Sequence, residues 1–145
     1  MFTDEYFMRE ALKEACKALE KDEVPIGAVV VAGNRVIARA HNLTETLTDV
    51  TAHAEMQAIT AAAAYTGGKY LKDGTLYVTL EPCLMCAAAL YWAQITRIVY
   101  GAADNKRGFS LNPVSPLHPA TTVTSGILET ECAALLTGFF KKKRK

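Results

Sequence analysis

Residues 75–94 read TLYVTLEPCLMCAAALYWAQ. TLYVTL is a short β-branched and apolar run of the kind that fills a buried strand. Residues 83–94 hold alanine, leucine and other good helix formers, and RIVYGA (97–102) returns to strand. A strand, a helix of that length and a second strand form the unit that joins parallel strands through a crossover. Outward from it, 4–21 has helical spacing in Tyr6, Phe7, Leu12, Ala15, Cys16 and Leu19, with Asp4 and Glu5 in the first turn. PIGAVVVAGNRVIARAHN gives two strands about a Gly33-Asn34 turn, and 53–65 an alanine-rich helix ending near Gly67-Gly68. After an irregular, proline-bearing stretch (108–120), TTVT is a fifth strand, and a last helix begins near Glu129. The expectation is an α/β protein in three layers, a five-stranded mixed sheet with helices on both faces.

At 145 residues the chain suits a single domain, 1–145, with a core that needs no staples. Half the residues are hydrophobic and 21% charged, as in ordinary soluble globular proteins. MFTDEYF is acidic and lacks the features of a signal peptide, and no apolar run reaches the ~20 residues needed to span a bilayer. A reducing, cytoplasmic setting is expected, with the cysteines as thiols or metal ligands. The formal net charge is +1, yet the last five residues, KKKRK (141–145), are all basic. The rest of the chain is therefore net acidic. Such a tail is either a solvated end or a contact to phosphates.

Cys83 and Cys86 stand three residues apart, on one face of their helix, with Pro82 at its entrance. A helix start favours thiolates, and two thiolates make a soft site suited to Zn²⁺. His53 is the best third ligand. Two thiolates and a neutral imidazole cancel the charge of one zinc ion per subunit and leave a coordination position open, the pattern of a catalytic zinc. Glu55 would lie beside the water there without binding the metal. A redox C-x-x-C pair is one alternative. A closed structural site recruiting Cys132, Cys16 or His118 is another, although Cys16 and Cys132 read more simply as small buried residues. The helix 83–94 is apolar all round, so it calls for cover from another layer of the chain or from a second subunit.

His53-Ala54-Glu55 followed by Pro82-Cys83-Leu84-Met85-Cys86 resembles the signature of the zinc-dependent cytidine/deoxycytidylate deaminase superfamily. EVPIGAVVV, VIARAHN, TAHAEM, LYVTLEPCLMCAAAL, RIVYGAADNK and GILETECAALLTGFFKKKRK together are similar to the bacterial tRNA-specific adenosine deaminases over nearly the whole chain. The resemblance implies a cytidine-deaminase-like fold and hydrolytic conversion of adenosine to inosine at the wobble position of a tRNA anticodon, expected to be that of an arginine tRNA. It implies zinc on His53, Cys83 and Cys86, Glu55 as the catalytic acid and base, and Asn42 with the backbone N–H of Ala54 as base-recognising groups. Lys106, Arg107, Phe139, Phe140, Lys141 and Lys142 are the expected contacts to the anticodon stem-loop, and a homodimer is the expected assembly. Glu81 has no slot in the mechanism and reads as a supporting residue. KRGFSLNPVSPLHPA (106–120) departs from the family pattern. Rival readings are a deaminase of free guanine, cytosine or cytidine, and a non-catalytic zinc-stabilised RNA-binding module.

Overall fold

The computed structural model describes residues 1–144; Lys145, the end of the basic run, lies outside the described residues. The sheet is ordered β2-β1-β3-β4-β5, with β1 Gly27–Ala32, β2 Arg35–His41, β3 Thr75–Leu80, β4 Arg97–Ala102 and β5 Thr122–Ser125. β1 runs antiparallel to both β2 and β3, while β3, β4 and β5 are parallel, so the sheet is mixed as expected. Gly33 and Asn34 have φ of 58° and 60°. Paired positive φ values at a two-residue turn suit the twist of a hairpin, and glycine and asparagine tolerate them best.

Side-chain alternation along the strands separates two cores. Ala28, Val30, Leu76, Val78, Ile98 and Tyr100 face α2 (Ala54–Thr66) and α3 (Leu84–Ala93). Val29, Val31, Tyr77 and Val99 face α1 (Asp4–Glu20) and α4 (Glu129–Lys143), where Phe7, Met8, Ala11 and Cys132 close the layer. α1 lies so close to β1 that a Cβ on Gly27 would meet the Ala11 carbonyl oxygen at 2.1 Å. Only glycine fits there.

One expectation needs correction. The buried face of α1 is Phe7, Met8, Ala11, Ala15 and Ala18, and it includes Glu10 and Glu14. Tyr6, Cys16 and Leu19 are exposed. Apolar spacing misplaced this face because both glutamates turn inward to side chains on β2: Arg39 donates to Glu10 at 2.7 Å, and His41 Nδ1 meets Glu14 at 3.0 Å. Pro82 stands at the entrance of α3, one residue before its N-cap, Cys83. The chain itself covers α3 on one side only. Cys86, Ala87, Leu90 and Ala93 are buried, but Leu84, Met85, Tyr91 and Trp92 form an open face, with Trp92 75% exposed.

Candidate metal and catalytic site

α2 and α3 start at one end of the sheet, α3 directly off the carboxyl end of β3. His53 caps α2 and Cys83 caps α3, both with extended backbone, and Cys86 stands in the first turn of α3. The caps aim their side chains at one point. His53 Nδ1 lies 3.7 Å from Cys83 Sγ and 3.5 Å from Cys86 Sγ, and the three ligand atoms all fall within 4.8 Å of one another. Tetrahedral zinc with ordinary Zn–S and Zn–N bonds requires S···N separations of roughly 3.6 Å. The residues therefore fit zinc. His118 does not join them: its Nδ1 accepts the Ala120 N–H at 3.1 Å and its ring packs 5.6 Å from that of Tyr91. Cys16 is exposed on α1 and Cys132 is on the buried face of α4.

The thiols already share charge. A hydrogen bond from Cys86 holds the Cys83 thiol down at about 5, helped by backbone N–H groups at the helix start and by His53, against the effect of burial. The same bond, with burial, pushes Cys86 far up. Glu55 is 4% exposed, and burial pushes its carboxyl up to about 7, with negative Cys83 adding to the rise and the Glu55 N–H and His53 opposing it. A carboxyl near neutrality can take a proton and give it back at working pH.

Asn42 is 5% exposed at the end of β2, where its N–H extends the ladder to the Ile26 carbonyl at 3.1 Å. Gln57 of α2 fastens that end by donating to the His41 carbonyl at 2.8 Å. Buried Glu23 holds the following loop, accepting from the N–H groups of Glu45 and Thr46 at 3.1 and 2.6 Å. Neither residue is signalled by the sequence, since each acts through a distant backbone. Ala54 is fully buried as the first residue of α2, where a backbone N–H has no intrahelical partner.

A cleft of about 670 Å³ is lined by Lys106 and Arg107 together with Phe140, Lys143 and Arg144, over a floor that includes Ile26, Leu80 and Leu136. The two adjacent phenylalanines divide: Phe139 is 9% exposed and packs, whereas Phe140 is 42% exposed in the cleft. Lys142 faces a different groove with Leu19 and Phe139, and Lys141 is exposed. Helical rotation decides this sorting. Lys141–Lys143 continue α4 rather than forming a loose tail, so Lys143 and Arg144 reach the cleft where Lys141 and Lys142 do not.

A sheet that sets histidine and cysteine ligands at paired helix starts, with a carboxyl buried beside them, defines a hydrolase built for zinc-activated water. The chain belongs to the cytidine and deoxycytidylate deaminase family, whose zinc-binding region matches residues 1–102. Its relatives narrow the class. It is 49% identical over 151 residues to the tRNA-specific adenosine deaminase of Bacillus subtilis strain 168, covering 100% of this chain and 93% of the relative. It is 50% identical over 146 residues to the protein of that name from Agrobacterium fabrum strain C58, covering 96% and 95%. A solved structure from studies of A-to-I editing by tRNA:A34 deaminases superposes with a TM-score of 0.83 at 50% identity, over 90% of this chain and 99% of that one. No helix among the described residues is long and apolar enough to cross a membrane.

Proposed function

We propose that this chain is a cytoplasmic enzyme that deaminates adenosine to inosine at the wobble position of a tRNA anticodon, that of an arginine tRNA, with residues 1–145 acting as one catalytic domain. The observation that carries the reading is the convergence of His53, Cys83 and Cys86 on one point beside buried Glu55. The basic and aromatic cleft supports a polynucleotide substrate over a free base, which would need no row of cations. Buried Glu55 supports an enzyme over a structural zinc module, which would need no such carboxylate.

His53, Cys83 and Cys86 would hold the metal. Zinc bound there would supply a Lewis acid that makes water nucleophilic near neutral pH. Glu55 accepts the proton of the water that attacks C6 of the base and passes it to ring N1. The remaining hydroxyl proton moves through Glu55 to the amino group, which leaves as ammonia, and C6 becomes the carbonyl of inosine. The Asn42 amide and the Ala54 N–H hold the base edge so that C6 meets the water. Phe140 offers a face for a neighbouring base, and Lys106, Arg107, Lys143 and Arg144 neutralise phosphates. An anticodon base is single-stranded, so drawing it into the site costs at most a few kcal/mol.

The test offers purified protein a set of wobble-adenosine anticodon stem-loops beside free guanine, cytosine and cytidine. Inosine should form at the wobble position, fastest in the arginine sequence. Equal rates on all stem-loops would reject the arginine assignment, and turnover of a free base alone would reject the RNA substrate.

The open face of α3 is the subunit interface of a homodimer in this reading. Leu84, Met85, Tyr91 and Trp92 are aromatic and apolar groups of the kind enriched where subunits meet, and one such patch can pair with its own copy about a twofold axis. Light scattering should give a dimer at micromolar concentration, and Ala88→Asp, which places a charge on this half-buried helix surface, should shift it toward monomer. A monomeric wild type would contradict the assignment.

A further inference from the structure

Glu81 is 3% exposed and takes no part in the proton transfers above. Both of its oxygens accept backbone N–H groups from one loop: Oε1 from Asp104 at 3.1 Å and Oε2 from Ser110 at 2.9 Å. Between these anchors the loop is folded on itself. Asp104 Oδ1 accepts the N–H groups of Lys106 and Arg107 at 3.0 Å each, and the Gly108 N–H donates to the Asp104 carbonyl at 3.0 Å. The loop is also fastened to the segment after Glu81. Phe109 N–H donates to the Pro82 carbonyl at 3.0 Å, and Gly108 pairs with Cys83 as an isolated antiparallel bridge. The fit is close, since a Cβ on Gly108 would fall 2.4 Å from both the Glu81 Cδ and Oε1. Residues 104–110 are therefore wrapped on Glu81-Pro82-Cys83, the segment that carries a metal ligand, while Lys106 and Arg107 stay exposed in the cleft.

We infer that Glu81 is a positioning residue whose two-oxygen clamp fixes Lys106 and Arg107 at a set place relative to the metal centre, so that phosphates of the substrate are gripped in register with the base to be deaminated. The inference rests on the RNA substrate proposed above. A carboxylate is needed because it accepts at both oxygens, whereas glutamine would turn an NH₂ group toward one of the two N–H donors. That leaves a buried donor without a partner. Lys106 and Arg107 then keep their charge and lose their fixed geometry, so the loss should appear in substrate binding.

The experiment compares wild type, Glu81→Gln, the Lys106→Ala/Arg107→Ala pair, and the triple variant. Each is measured for zinc content, KM and kcat on the arginine stem-loop, and amide hydrogen exchange over 103–111. Glu81→Gln should keep its zinc, raise KM about tenfold or more with a smaller change in kcat, and exchange faster in that segment. In the triple variant Glu81→Gln should add little, because the groups it positions are gone. Gly108→Ala, which crowds the same carboxylate, should raise KM and speed exchange in the same way. Unchanged KM and exchange in Glu81→Gln would overturn the inference. So would zinc loss that accounts for the lost activity, or a full additional loss in the triple variant. A wild type inactive on the stem-loop would instead refute the RNA reading, and exchange in Glu81→Gln would still decide whether the clamp exists.

Discussion

Glu55→Ala is expected to bind zinc as the wild type does and to lose nearly all turnover of the wobble-adenosine stem-loop. General acid–base help alone is worth ~10²–10⁴-fold, and in the proposed mechanism one carboxyl serves both the proton leaving water and the proton reaching N1. The group is in the first turn of α2 but is not part of the His53, Cys83 and Cys86 set, so its removal leaves the ligands in place. Glu55→Gln keeps the shape of the side chain and removes its ability to accept a proton, and it should be nearly as inactive. Elemental analysis, melting temperature and single-turnover rate together separate the roles. A variant that deaminates at close to the wild-type rate would show that another group moves the protons.

The strands were the most legible part of the fold. TLYVTL and RIVYGA coincide with β3 and β4, because short β-branched runs between turn signals leave few alternatives. Gly33-Asn34 declared the hairpin through backbone chemistry that few other residues satisfy. The metal ligands were legible for a similar reason. C-x-x-C at a helix start constrains itself, and the caps do the aiming, so local sequence nearly determines where the sulfurs point.

What stayed hidden depends on contacts between distant segments. The face of α1 was misassigned because Glu10 and Glu14 are buried only by virtue of Arg39 and His41, which lie on a different element. Glu81 and Glu23 are both buried, and each accepts backbone N–H groups from residues more than twenty positions away, which local sequence does not signal. The basic C-terminal run invited a reading as a loose end. Its helical continuation instead brings Lys143 but not Lys142 to the cleft, and buries Phe139 while leaving Phe140 exposed.

Removing a sulfur ligand should have the second large effect. Cys83→Ala and Cys86→Ala should each lose tight zinc binding and all measurable deamination, and both should lower Tm. Structural zinc sites bind the metal with apparent free energies of about 10–16 kcal/mol when binding and folding are coupled, so even a fraction of that matters to a domain of ordinary stability. Cys86→Ala should be the more damaging, since Cys86 is fully buried and its truncation also leaves a void beneath α3. Full zinc content in both variants would remove these residues from the metal site.

The most direct test strips the wild-type protein of metal with a chelator, returns zinc in steps, and measures inosine formed at the wobble position of the arginine stem-loop after each addition. Activity should start at background and rise in a straight line. It should break at about one zinc per chain, the stoichiometry of one three-ligand centre. Deamination by the metal-free chain, or a chain filled with zinc at that stoichiometry that still forms no inosine, would contradict the account.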